Sequence, residues 1–121
     1  MIVDASVVLA WLQDEPGADD AEPMLMEGRI GAANWAEVLQ KARQHGAPAG
    51  IVAQLLVSFG LSVVDVTRED AETAAGLWTE GGTLSLADRL CLARAVRSGL
   101  PVATADAAWA AIPGVDVVLV R

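Results

Sequence analysis

Four short apolar segments, spread along the whole chain, constrain its fold more than any other feature of the sequence. They are IVDA (2–5), LSVVDV (61–66), PVATA (101–105) and VDVVLV (115–120), and the stretches between them have helical periodicity. None of the four alternates strictly between apolar and polar residues, which is typical of strands that are buried on both faces. The sequence therefore predicts an α/β fold in which helices cover both sides of a parallel sheet.

The predicted helices carry recognisable start signals. Thr67 and Ser85 each stand three residues before an aspartate, the spacing of a capping box, and Asn34 stands three residues before Glu37. Segment 48–60 is apolar nearly all round, so we expect it in the core or at an interface. The helices are expected over residues 6–13, 18–27, 33–46, 48–60, 68–82, 85–98 and 106–112.

The length and the hydropathy pattern exclude several classes of protein. A chain of 121 residues suits a single domain. Its longest apolar stretch, IVAQLLVSFGLSVV, is interrupted by polar residues and is too short to span a bilayer. The start MIVDAS lacks the basic residues of a signal peptide, and a single cysteine cannot form an internal disulfide. We therefore expect a cytoplasmic protein without membrane contact.

The charge of the chain is strongly unbalanced. Sixteen acidic residues stand against eight basic ones, which gives a net charge of −8, and Lys41 is the single lysine. Such a surface repels nucleic acid and suits a basic partner or bound cations. A function on nucleic acid would therefore need a local source of positive charge.

Three acids stand where an exposed surface residue is not expected. Asp4 ends the first predicted strand, and Asp106 directly follows the segment PVATA. Ligands of parallel sheets bind at the carboxyl ends of strands, so both acids are expected at that edge. Asp88 shares a helix face with Cys91 and Leu92, the face that a helix normally buries.

Local chemistry also offers a purely structural interpretation of each acid. Asp88 fits a capping box, and Asp106 fits the cap of a short helix. Glu37 has Gln40, Lys41 and Gln44 on its helix face, so local pattern alone predicts an exposed side chain paired with Lys41. If the acids converge instead, some of them would take up protons unless a divalent cation offsets their repulsion. Oxygen ligands without histidine or cysteine favour Mg²⁺ or Mn²⁺ over zinc.

Three stretches resemble one known family. MIVDASVVLAWL (1–12), NWAEVLQKA (34–42) and LSLADRLCLARAVRSGLPVATADAAW (84–109) resemble the PIN-domain nucleases, in particular the VapC-like toxin ribonucleases of type II toxin–antitoxin systems. The resemblance implies one PIN domain over residues 1–121, with a three-layer α/β/α fold and a parallel sheet of four to five strands. It also implies an endoribonuclease dependent on Mg²⁺ or Mn²⁺, a homodimer, and a VapB-like antitoxin through which any DNA contact is made.

The resemblance assigns roles to individual positions. Ser6 and Thr104 match hydroxyl residues that support the carboxylates. The scarcity of lysine departs from the family, so the RNA path is expected to rely on arginines such as Arg89, Arg94 and Arg97, and Arg89 is the best candidate for a phosphate contact because it adjoins Asp88. Nothing local selects Glu37, which enters the metal site through the resemblance alone. The catalytic and metal-binding acids implied by the resemblance are Asp4, Glu37, Asp88 and Asp106.

Two other functions remain open at this point. A non-catalytic receiver-like module would use the acidic pocket as a phospho-acceptor, but it needs a lysine at a strand end, and Lys41 lies within a predicted helix. An aspartyl phosphatase would begin with a motif like IVDASVV, but it needs a second acid where Ser6 stands. Assays of RNA cleavage and of phosphate release distinguish these activities.

Overall fold

The structure is a computed structural model that describes residues 1–120. A short 3-10 helix, Ala107–Ala111, lies between the last two strands. The strands are β1 Ile2–Val3, β2 Arg29–Gly31, β3 Ser62–Val64, β4 Val102–Thr104 and β5 Val117–Leu119. The helices are α1 Ala5–Leu12, α2 Ala18–Met26, α3 Ala32–Gln44, α4 Ala49–Phe59, α5 Arg68–Gly76 and α6 Leu86–Ser98.

Within residues 1–120 the five strands form one fully parallel sheet in the order β3-β2-β1-β4-β5. The chain builds outward from β1 to β3 on one side, then crosses over and continues through β4 and β5 on the other. The strand order therefore reverses between β1 and β4, where Ile2 pairs with Val102. Such a reversal opens a crevice at the carboxyl ends of the two strands.

Both faces of the sheet are covered by helices. Ile2 and Val102 pack with α6 residues and Trp109, whereas Val3 and Ala103 pack into a second cluster with residues of α1 to α4. Adjacent residues of a strand point to opposite faces, so β1 and β4 each contribute to both clusters. This arrangement confirms the predicted three-layer α/β/α fold.

Strand β2 is absent from the sequence prediction. It consists of an exposed arginine, the buried Ile30 and a glycine, a composition with low strand propensity. Its place in the sheet comes from pairing with β1 on one side and β3 on the other. The helix predicted over 68–82 is also too long, because α5 ends at Gly76 and a turn at Thr79–Gly82 follows.

Helix α4 presents apolar side chains to solvent. Among its residues Leu56 is fully buried, whereas Ile51, Leu55 and Val57 are 64%, 45% and 56% exposed. Ile51 and Leu55, four positions apart on one side of the helix, form what we call the α4 outer face. The sequence predicts this segment in the core or at an interface, and in the structure only one side of the helix is packed in the core. No helix within residues 1–120 has the length and apolarity required to cross a bilayer.

Candidate active site

Asp4 lies at the crevice between β1 and β4. It follows β1 directly and precedes the first residue of α1 in an extended conformation, with φ −77° and ψ 153°. Its residue is 5% exposed, and its Oδ2 accepts hydrogen bonds from Ser6 Oγ at 2.7 Å and from Thr104 Oγ1 at 3.1 Å. The two hydroxyls thus hold the buried carboxylate in one orientation.

The same two hydroxyls connect the junction of β1 and α1 to the end of β4. Ser6 Oγ accepts from the backbone N–H of Ala105 at 2.9 Å, and Thr104 Oγ1 accepts from the backbone N–H of Asp106 at 3.1 Å. Asp4 and Asp106 are therefore linked through a single threonine. The resemblance implies that Ser6 and Thr104 support the carboxylates, and in the structure both hydroxyls contact Asp4.

Three carboxylates share one electrostatic environment. Burial raises the pKa of Asp4, against hydrogen bonds from Ser6 and Thr104 that lower it, and the charges of Asp88 and Glu37 raise it further. Burial also raises the pKa of the Cys91 thiol well above its usual value, and the charges of Asp4, Asp88 and Glu37 add to this effect. The charges of acids at the end of β1, on α3 and on α6 are therefore near enough to influence one another.

Asp88 belongs to a capping box and to this acidic environment at once. Its backbone N–H donates to Ser85 Oγ, and its Oδ2 accepts from the Ser85 backbone N–H, both at 3.0 Å. This confirms the predicted box. Cys91 and Leu92 are buried below it, while Asp88 itself is half-buried at the rim of the site. The box engages one carboxylate oxygen and leaves Oδ1 for another role.

Glu37 is half-buried rather than exposed, and within residues 1–120 it forms no ion pair with Lys41. Its Oε1 instead accepts a hydrogen bond from Asn34 Nδ2 at 3.1 Å. The interpretation from the local pattern is therefore wrong for Glu37. Its half-burial follows from the packing of α3 against α6, which periodicity within α3 does not report.

The spacing predicts that Asn34 caps α3, and this prediction is wrong. Strand β2 runs directly into the helix, so Gly31 occupies the cap position and Asn34 lies in the first turn. The side chain is 1% exposed, and Nδ2 also donates to the Ala87 carbonyl at 3.2 Å. Asn34 is thus a site residue that sequence reasoning misses, because the N-x-x-E spacing that marks it is also that of a capping pair.

Asp106 lies at the same sheet edge with a different environment. It is exposed and caps the 3-10 helix, with Oδ1 accepting from the Ala108 backbone N–H at 3.0 Å. Its charge is not among the effects that raise the pKa of Asp4. The fold therefore brings Asp106 to the edge through Thr104 but points its carboxylate into the cap.

The arginines of α6 contact α5. Arg89 Nη1 donates to the Ala74 carbonyl at 3.1 Å, and its buried Nε has no hydrogen-bond partner in the part of the chain that the structure describes. Arg97 hydrogen-bonds to the buried Asp70, and Arg94 lies 3.5 Å from it. Arg94 and Arg97 are therefore engaged in holding α5 against α6, and Arg89 is tied to the end of α5.

Comparison with family models decides the classification. The model of the PIN domain matches residues 1–115. The chain belongs to the PIN domain family. This confirms the resemblance inferred from the three sequence stretches, and the parallel sheet of this PIN domain carries Asp4 and Asp106 at the expected edge. A comparison with curated protein sequences found no significant match.

Several solved structures with the same fold come from toxin–antitoxin systems. A toxin–antitoxin complex from Klebsiella pneumoniae is 23% identical, with a TM-score of 0.75 over 97% of this chain and 94% of that one. VapBC2 from Rickettsia felis, bound to promoter DNA, is 14% identical, with a TM-score of 0.77 over 99% and 98%. VapC20 from Mycobacterium tuberculosis, a toxin that cleaves the Sarcin-Ricin loop, is 16% identical, with a TM-score of 0.71 over 95% and 98%. At these identities the likeness establishes the fold.

The acids of this PIN domain offer suitable ligands for a cation without forming a closed cage. Among residues 1–120 no three acidic, histidine or cysteine side chains stand close enough together to hold a metal ion. The described hydrogen bonds engage one oxygen each of Asp4, Glu37 and Asp88. The remaining oxygens are hard ligands suited to Mg²⁺ or Mn²⁺. The donor chemistry therefore fits these ions, and binding one requires side-chain rotation.

Proposed function

We propose that this PIN domain is a metal-dependent endoribonuclease and the toxin of a toxin–antitoxin pair. The observation that carries the proposal is the buried carboxylate of Asp4 in the crevice between β1 and β4, held by Ser6 and Thr104, with the charges of Glu37 and Asp88 near enough to raise its pKa further. Carboxylates gathered in this way destabilise one another unless a cation offsets their charge. The fold shared with VapC20, a toxin that cleaves the Sarcin-Ricin loop, supports RNA as the substrate class.

Some residues of the site would bind the cation, and others would orient those ligands. Asp4, Glu37, Asp88 and Asp106 would hold Mg²⁺ or Mn²⁺. When bound, the cation would polarise a phosphoryl oxygen and lower the pKa of a water molecule for hydrolysis of the phosphodiester. Ser6 and Thr104 both donate to Oδ2 of Asp4, which would leave Oδ1 to contact the cation.

Two of these acids also cap helices. Asp88 can keep Oδ2 in its capping box and use Oδ1, whereas Asp106 must rotate out of its cap with the Ala108 N–H or use its second oxygen. Arg89 would contact the RNA phosphate with the part of its guanidinium that does not donate to Ala74. A bound cation would also supply the local positive charge that a chain of net charge −8 otherwise lacks.

The partners follow from the same proposal. Toxin–antitoxin complexes from K. pneumoniae and R. felis share the fold, and the latter is bound to promoter DNA. An antitoxin with a basic segment would complement the net charge of −8, and through it the complex would contact DNA. A homodimer would cover exposed apolar surface such as the α4 outer face. Both assemblies would act in the cytoplasm, where their RNA and promoter lie.

A cleavage assay tests the function directly. Purified protein is incubated with folded RNAs and Mg²⁺ or Mn²⁺, and wild type is compared with Asp4→Asn and with Asp19→Asn, an exposed acid of α2. We expect Asp4→Asn to lose at least about 100-fold in rate, as for loss of a metal ligand or its support, and Asp19→Asn to cleave normally. Equal rates for wild type and Asp4→Asn contradict the proposal.

The same samples test the two rival functions. Release of inorganic phosphate from small phosphate esters would favour the phosphatase, and stable phosphorylation by a phospho-donor without cleavage would favour the receiver-like module. No structural observation supports either rival. Lys41 is exposed on α3, and Ser6, which stands where a phosphatase needs its second acid, donates its hydroxyl proton to Asp4.

A further inference from the structure

We propose that Asn34 is a positioning residue that sets the separation between Glu37 on α3 and Asp88 on α6. The inference rests on the proposed metal-dependent function and adds a residue to it that is not itself a ligand. It is carried by two hydrogen bonds from one buried amide group. These bonds join a carboxylate of the site to the helix turn that presents another.

The two bonds use both protons of a single amide nitrogen. Asn34 Nδ2 donates to Glu37 Oε1 at 3.1 Å and to the Ala87 carbonyl at 3.2 Å, while the residue is 1% exposed. Both partners are acceptors only, so the nitrogen rather than the oxygen of the amide must face them. The orientation of this side chain therefore follows from the chemistry of its neighbours.

A purely structural role does not explain an amide at this position. The N-cap of α3 is Gly31, so the Asn34 side chain does not start the helix. The other buried residues of α3 are Val38 and Ala42, which pack without polar groups. A buried amide is unfavourable unless its hydrogen bonds are made, so an apolar residue would serve simple packing better. The amide is explained by what it binds.

Asn34 contacts both the side chain of Glu37 and the helix turn that carries Asp88. On α3, the bond from Asn34 engages Oε1 of Glu37 and leaves Oε2 for a cation. On α6, Ala87 directly precedes Asp88, whose capping box with Ser85 holds the same turn from the other side. Asn34 thus joins α3 to the first turn of α6 across 53 positions of sequence. Groups that orient metal ligands in this way usually matter for affinity almost as much as the ligands.

Titration calorimetry with Mn²⁺ tests the inference without relying on activity. We compare wild type, Asn34→Ala, Glu37→Gln and the double variant. Asn34→Ala is expected to weaken Mn²⁺ binding by about 10- to 100-fold. In the Glu37→Gln background the same substitution is expected to cause a clearly smaller loss, because Asn34 acts partly through Glu37. In the cleavage assay, kcat should fall while KM for RNA stays within about twofold.

Matched variants separate positioning from loss of stability. Val38→Ala removes buried volume from the same helix without touching the acids, so it should lower the melting temperature and leave Mn²⁺ affinity unchanged. Asn34→Leu preserves volume and removes both donors, and it takes the place of Asn34→Ala if that variant does not fold. A folded Asn34→Ala or Asn34→Leu protein that binds Mn²⁺ as tightly as wild type overturns the inference about Asn34 but leaves the proposed function standing. A wild-type protein that binds no Mn²⁺ overturns the proposed function as well.

Discussion

At the scale of single residues, the main feature is a carboxylate in an unfavourable environment. Asp4 is buried, receives two hydroxyl hydrogen bonds, and still has a raised pKa because burial and two neighbouring acids outweigh them. A site organised for a cation has this property, since the same closeness that favours binding destabilises the empty protein. Stability and function are therefore opposed at Asp4.

This opposition predicts that Asp4→Asn stabilises the metal-free protein while abolishing cleavage. A raised pKa in the folded state means that protonation of Asp4 favours folding, and that this contribution is lost as pH rises from 3.8 through the folded-state pKa. At neutral pH the variant is expected to melt roughly 3–6 °C higher, which corresponds to about 1 kcal/mol.

Scanning calorimetry without metal, at neutral pH and near pH 3, checks this prediction. The difference in melting temperature between Asp4→Asn and wild type should be smaller at the lower pH, where Asp4 of the wild type is itself protonated. Asp19→Asn serves as the control and should melt with wild type, because this side chain is exposed. A lower melting temperature for Asp4→Asn at neutral pH contradicts the argument.

At the scale of helices and strands, a buried charge joins α5 to α6. Asp70 is 2% exposed, forms a capping box with Thr67, and receives Arg97 and Arg94 from α6. Burial alone raises the pKa of Asp70, but the hydrogen bond from the Thr67 backbone and the hydrogen bond and charge of Arg97 together hold it below 3.8. This contact supports the helix that carries Asp88.

Replacing Asp70 by asparagine should therefore lower stability in a pH-dependent way. A carboxylate whose pKa is lowered in the folded state stabilises the protein above pH 3.8, its unfolded-state pKa. This stability is lost as the pH falls through 3.8 and then through the lower pKa of the folded state. We expect Asp70→Asn to lower the free energy of unfolding by about 1.5–3 kcal/mol at neutral pH and by less below about pH 4. Urea unfolding of both proteins at the two pH values measures this difference. Glu72→Gln, which breaks the exposed pair with Arg68 on the same helix, should change stability by no more than about 0.5 kcal/mol.

The turn between α4 and β3 makes a second prediction at this scale. Gly60 has φ +119°, and a Cβ built on it would lie 2.2 Å from the Met26 carbonyl oxygen. Gly60→Ala should therefore destabilise the protein by at least about 2 kcal/mol. Gly50→Ala is the matched control, because its Cβ would meet no described atom within 4 Å, and in a helix it should stabilise by up to about 1 kcal/mol. Thermal unfolding distinguishes the two, and equal stability of both variants would be inconsistent with the close approach.

At the scale of the whole molecule, charge and apolar surface determine what the protein can bind. The net charge of −8 is unfavourable for binding the RNA of the proposed function, and two of the α6 arginines are occupied by Asp70. The α4 outer face is the contrasting feature, an apolar surface on an acidic protein. RNA recognition is therefore expected to depend on few phosphate contacts.

The salt dependence of KM tests that expectation. We predict that log KM plotted against log salt has a slope of no more than about 2, because each neutralised phosphate contributes about 0.7 to 0.9. Measurements from about 50 to about 300 mM KCl at constant Mn²⁺ determine the slope. DNA of the same length, which should not be cleaved, serves as the control. A slope near that of proteins with many phosphate contacts would point to a basic surface on a partner or a second copy.

The sequence by itself determined the features that depend on neighbours a few residues away. Four of the five strands in residues 1–120, the parallel α/β class, and the boxes at Thr67 and Ser85 follow from hydrophobic pattern and capping. Asp4 could be placed at the functional edge because the end of a parallel strand predicts where ligands bind.

Tertiary structure decided what depends on distant parts of the chain. Strand β2 exists because β1 and β3 pair with it, since its own three residues carry little strand signal. Glu37 is half-buried because α3 packs against α6. Asn34 does not cap α3 because β2 runs straight into the helix, and its amide also bonds the Ala87 carbonyl, which α6 brings from 53 positions away. Local pattern reports the contacts within one helix turn, whereas the environment of a buried polar group is set by whichever element packs against it.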